Sequence, residues 1–72
     1  MHDHTYKIIE LSGSSSEGIE GAIQNAISQT AQSIEHLRWF EVKEIRGHIK
    51  EDGVAHYQVI VKIGFTIEQS MT

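Results

Sequence analysis

The stretch LRWFEVKEIRGHIKEDGVAHYQVIVKIGFTIE, residues 37–68, places two extended runs on either side of an Asp-Gly pair, and its reading decides the fold. Asp52-Gly53 between alternating segments is a strong hairpin signal, because these residue types tolerate the positive φ angles of a tight two-residue turn. The second run, Ala55 to Glu68, sets Tyr57, Val59, Val61, Ile63, Phe65 and Ile67 on one face. His56, Gln58, Ile60, Lys62, Gly64 and Thr66 occupy the other, so this run is expected as the central strand. A two-residue turn then places Phe40 opposite Phe65 and Val42 opposite Ile63 on the helix-covered face, and Trp39 points away. The same register sets Lys43 against Lys62, a like-charge pair that a longer loop or a β-bulge would relieve.

Upstream, TYKIIEL, Thr5 to Leu11, is rich in β-branched and aromatic residues and stops at the turn-forming SGSSS, which predicts the first strand. Ser14 or Ser15 is placed to cap a helix whose positive end Glu17 and Glu20 would favour. Ile19, Ala22, Ile23, Ala26, Ile27, Thr30 and Ile34 recur at three- and four-residue spacing, which predicts one amphipathic helix over residues 16–33. Gly18 and Gly21 weaken its first turns by up to about 1 kcal/mol each relative to Ala. Packing must hold that end, with close backbone contact as the reason for both glycines. The expected fold is α+β, a β-α-β-β protomer with a three-stranded antiparallel sheet packed on one helix. One domain is expected over residues 1–72, with tails at 1–4 and 69–72. A single helix leaves the reverse face of the sheet open, with Trp39, Ile45 and Ile60 beside Gln58, as a binding surface or a subunit interface.

Composition narrows the function classes. A chain of 72 residues hides only about 60% of its unfolded surface, so a lone copy would be marginal. It has no Cys for disulfides, which leaves self-association as the favoured support. Six Lys+Arg against ten Asp+Glu give a net charge of -4, which opposes binding to phosphate backbones and argues against nucleic acid as a partner. There is no apolar leader and no run long enough to span a bilayer, so a soluble, cytoplasmic protein with no membrane partner is expected.

Three segments carry a resemblance. Tyr6 to Ile27 (YKIIEL, GSS, GIE and two AI pairs), His36 to Ile49 (HLRWFEV, then RGHI) and Tyr57 to Phe65 (YQV, VK, GF) resemble the dodecins. The similarity runs from Thr5 to Glu68 without an evident gap. It implies a flavin-binding protein that assembles as a hollow homododecamer and holds FMN or riboflavin in pairs between subunits. It further implies that Trp39 stacks on the isoalloxazine and that Gln58 hydrogen-bonds its polar edge. Arg46 is implied near the pocket, where a guanidinium would contact the ring or the FMN phosphate, with an ion pair to Glu44 or Glu41 as its alternative. Gly47 would allow close approach of a ring or another backbone. His48 completes the candidate set, with an interface histidine as its default.

The residue types suit that chemistry. An indole is the largest electron-rich side-chain surface for stacking on a flat, electron-poor ring system. An amide offers both donor and acceptor to an edge that carries an N–H between two carbonyls. In the expected register Trp39 and Gln58 share a face but stand eight positions apart, roughly 26 Å at the strand rise. Either the strands bend sharply or the two residues reach one flavin from different subunits. Storage or sequestration needs no catalytic residue, and a Trp stacked on flavin quenches it. The alternatives are a structural oligomer, a carrier of another nucleotide cofactor such as coenzyme A, and a flavin-dependent enzyme, the last disfavoured by the lack of room beside a sandwiched ring. His2 and His4 in the N-terminal MHDH lack a third fixed ligand, so no metal is expected. GSSSEG lacks the Lys and spacing of a phosphate loop, and no Gly-flanked nucleophilic Ser follows a strand.

Overall fold

The computed structural model describes residues 5–67. The tails expected at 1–4 and 69–72, with His2 and His4, lie outside the described residues. The elements run β1 (Tyr6–Ser15), α1 (Ile19–Ala31), β2 (Leu37–Lys50) and β3 (Gly53–Thr66). They form a three-stranded antiparallel sheet in the order β1-β3-β2, with β3 central as the alternation predicts. Val59, Val61 and Ile63 of β3 are buried against Ala22 and Ala26 of α1, with Ile9, Leu11, Ile23, Ile27, Leu37 and Val42 packed around them.

β1 continues through SGSS instead of ending at Leu11. The cause is Gly13, which pairs with Val59 directly beneath the helix. A Cβ there would run into the carbonyl oxygen of Ala22 and come within 2.8 Å of the Ala26 Cβ, so the residue that reads as a turn former is a seat for the helix. Correspondingly α1 is shorter than the predicted 16–33. Its N-cap is Gly18, at φ 154°, and no side chain caps it. Ser15 is no cap: its Oγ accepts from the Glu17 N–H in a local turn. Asn25 Nδ2 donates to the Ser14 carbonyl, tying the helix flank to the end of β1. Of the two helix glycines, Gly21 is the one at close contact, since a Cβ there would lie 2.8 Å from Ser15 Oγ.

The hairpin departs from the expected register in an instructive way. Its turn is centred on Glu51-Asp52, both at positive φ (53° and 65°), with Lys50 paired to Gly53. That is one residue earlier than an Asp52-Gly53 turn. Three register shifts follow along the strands, between His48 and Ile49, Val42 and Glu44, and Leu37 and Trp39. They leave Ala55 on β3 and Lys43 and Arg38 on β2 without a Cα partner. As a result Phe40 faces Ile63 and Val42 faces Val61, not Phe65 and Ile63. Their facing is as expected, because the shift at that point is two residues. Lys62 meets Glu41, and Lys43 reaches Glu10 at 3.3 Å, so a bulge does remove the like-charge pair. Beyond the Lys43 bulge the faces exchange. Ile45 pairs with Val59 on the helix side, a correction to its expected place beside Gln58.

The helix lies over β1 and β3, so even its own side of the sheet is incompletely covered. Phe40, Ile45, Ile49 and Val54 are exposed, Ile49 to 80%. The molecule measures 59 × 20 × 14 Å, a hairpin arm projecting past a small helix-covered core.

Replacing Gly13 with Ala drives a methyl group into the helix backbone, and a core with no slack loses about 1–3 kcal/mol to such overpacking. Urea unfolding monitored by circular dichroism should show a lower midpoint with an unchanged slope.

Candidate functional site

The reverse face of the sheet, turned away from α1, follows from the pairing. Along β3 it carries His56, Gln58, Ile60, Lys62, Gly64 and Thr66, flanked on β1 by Ser14, Ser12, Glu10, Ile8 and Tyr6 and on β2 by His48, Arg46, Glu44, Glu41 and Trp39. Three zones result. One end is aromatic and apolar, the middle is charged, and the far end offers an amide, a guanidinium and two imidazoles.

Trp39 is 38% exposed and rests against Gly64, its cross-strand partner. A Cβ on Gly64 would meet Cε2 and Cζ2 of the indole and come within 2.6 Å of Nε1. An interior strand Gly therefore marks the spot where an aromatic ring settles on the sheet. Tyr6 stands edge-on to the indole, ring centroids 6.5 Å apart and planes at 62°. Ile8, paired with the other side of Gly64, is also exposed. Tyr6, Ile8 and Gly64 escaped the sequence reading. The period-two alternation of β1 on either side of Ile9 and the Gly within β3 are the signals that point to them.

Gln58 lies six residues before Gly64 on β3, about 20 Å at the strand rise. The separation is less than the expected register implied, yet the strands do not bring Gln58 and Trp39 together on one protomer. Arg46 is the cross-strand partner of Gln58, placed there by the bulge at Ala55, and its Nη2 donates to Glu44 Oε1. Of the two carboxylates considered for it, Glu44 is the one engaged. Gly47 pairs with Tyr57 on the helix side, where a Cβ would sit 3.2 Å from the His56 carbonyl oxygen. His48 pairs with His56, and their rings stack at 4.4 Å with planes 22° apart. On the charged middle row Lys62 is flanked by Glu10 and Glu41. An open, mostly apolar groove is lined by Ile27, Leu37, Arg38, Trp39, Phe40 and Ile63. Among the described residues no helix is long and apolar enough to cross a membrane.

The Dodecin family profile matches residues 5–68 of this sequence. A dodecin from Thermus thermophilus is 52% identical over 65 residues, covering 90% of this chain and 94% of that protein. The structure of a dodecin from Streptomyces coelicolor matches with a TM-score of 0.91 at 43% identity, covering 97% of this chain and all of that one. The calcium dodecin of Mycobacterium tuberculosis, described with a calcium-binding site, shares the fold at a TM-score of 0.78 and 24% identity over 94% of this chain and 97% of its own.

Gly64→Ala tests how Trp39 is seated. The added methyl must push the indole off the sheet, and because the chain holds a single Trp its emission reports the change directly. The spectrum should shift to the red while far-UV circular dichroism stays as in the parent.

Proposed function

The chain belongs to the dodecin family, and from that premise we propose that it binds flavin, FMN or riboflavin, between the subunits of a homododecamer and stores it in a quenched form. The observation that carries this reading is Trp39, a large ring lodged on Gly64 with 38% of its surface open on a face that no described element covers. An isoalloxazine laid on that ring gains dispersion and offset stacking over a wide area. Tyr6 braces the indole edge-on, which limits the rotamer freedom that stacking would otherwise cost.

Gln58 supplies the polar half of the site. Its amide can donate to a flavin carbonyl and accept from the ring N–H, and it is partly buried. The separation of about 20 Å from the Trp39 row means that a flavin stacked on Trp39 meets the Gln58 of another copy. Arg46, beside Gln58 and oriented by Glu44, is placed to address the ring edge or a phosphate, and Gly47 and His48 continue the strand at the rim of the pocket. The uncovered Phe40, Ile45, Ile49 and Val54 along the arm are the surfaces that neighbouring copies would bury.

Storage follows from what the site holds and lacks. An indole in contact with the ring returns excited flavin to its ground state by electron transfer, which protects the surroundings from photosensitised damage. Rings sandwiched between subunits have no free face for a substrate, so the reading requires no catalytic residue. Chromatography of the ligand released by denaturing freshly purified protein separates flavin from a coenzyme A cargo.

Three outcomes are expected. Light scattering should give a native mass near twelve protomers, and a stable monomer at micromolar concentration would end the proposal. Trp39→Ala should fold and lose flavin affinity by about 1–3 kcal/mol, by analogy with base stacking on aromatic side chains; unchanged affinity would remove the stacking assignment. Gln58→Leu should weaken riboflavin and FMN by about 1–3 kcal/mol, because the polar edge is left without partners. A flat dye lacking that edge should bind the Leu variant as it binds the parent. Equal loss for all three ligands would assign Gln58 to packing instead.

A further inference from the structure

The stacked imidazoles of His48 and His56 are not used by the flavin reading as a pair, and they are built by a specific irregularity. Were the Lys50 to Gly53 register carried straight up the hairpin, His48 would oppose Ala55 and His56 would fall on the helix side. The bulge at Ala55 shifts β3 by one residue and brings the two rings face to face. The pair stands beyond the end of β1, whose last partner on β3 is Tyr57, so no third strand adds side chains to this row. Its nearest neighbours on the same face are Arg46 and Gln58, and the Arg46 charge is already met by Glu44. Among the described residues neither imidazole takes part in a hydrogen bond or an ion pair, and His48 is exposed to solvent.

We propose that His48 and His56 form a cross-strand chelate for a divalent transition-metal ion of the zinc, nickel or copper type. Two neutral imidazoles held directly opposite one another offer borderline nitrogen donors, the ligand type these ions favour over magnesium or calcium. Ring centroids 4.4 Å apart bring both rings within reach of a common ion once the side chains rotate out of the stack. The strands hold both side chains in place, so the second nitrogen binds intramolecularly at high effective concentration. No third His, Cys, Asp or Glu converges on them among the described residues, so water completes the coordination sphere and the site stays open. A metal here ties β2 to β3 close to the turn, where Ile49 and Val54 are exposed.

The test is calorimetric titration of untagged protein with zinc chloride and, separately, nickel chloride at pH 7.5, with calcium chloride as the contrast. The parent should bind one zinc per chain and no calcium. His48→Ala and His56→Ala should each lose at least about tenfold in affinity, and the double variant little more than either single one, since one arm alone is no chelate. A His2→Ala/His4→Ala variant should bind as the parent does. Retained zinc affinity in the His48/His56 double variant, or loss of it in the His2/His4 variant, would overturn the proposal by placing the ion on the N-terminal histidines. So would calcium binding without zinc, which would require oxygen ligands.

Discussion

The approach of α1 to the sheet at Gly13 is the contact on which the rest of the molecule depends. With no Cβ in the way, the backbone of the helix at Ala22 comes down onto β1, and Ala22 and Ala26 close over Val59, Val61 and Ile63. Among the described residues the three largest fully buried side chains all belong to β3. A helix seated over β1 and β3 must leave β2 partly bare. The apolar arm and the open reverse face are therefore two results of one packing choice: the chain concentrates its small core on the central strand and presents everything else outward.

Much of this was legible in the sequence, and the failures share a cause. Helix and strand existence rests on hydrophobic period, which Ile19 to Thr30 and Tyr57 to Phe65 display cleanly. The central place of β3 follows from the same pattern. What period cannot reveal is an extra residue that breaks it. The turn at Glu51-Asp52 puts two non-glycine residues at positive φ, so the Asp-Gly signal marks the region but not the corner. Each bulge then moves the register by one, and side-chain facing survives or inverts with the parity of the accumulated shift. Phe40 and Trp39 lie on their expected faces because two shifts cancel in parity there, whereas Ile45 lies between bulges and does not. The charge clash of Lys43 with Lys62 was the one sequence clue to a bulge, and Lys43 is a residue left without a partner.

The candidate site shows the same division. Trp39 and Gln58 stand out by residue type, an indole suited to stacking and an amide suited to paired hydrogen bonds. Their supports do not stand out, because support is a matter of spatial neighbours. Gly64 reads as a weak point in a strand, yet it is the floor beneath the indole; Tyr6 is remote in sequence and adjacent in space. Arg46 reaches the row of Gln58 only through the bulge at Ala55.

The bulged edge bears on how copies of the chain can meet. β2 is an outer strand of the sheet, and a flat outer strand is a template on which another chain can lay its own backbone without limit. Here the template is interrupted twice, and a cation, Arg38 or Lys43, occupies each interruption. A stranger's strand would find its ladder broken within a few residues. Growth by sheet extension along this border is thereby discouraged.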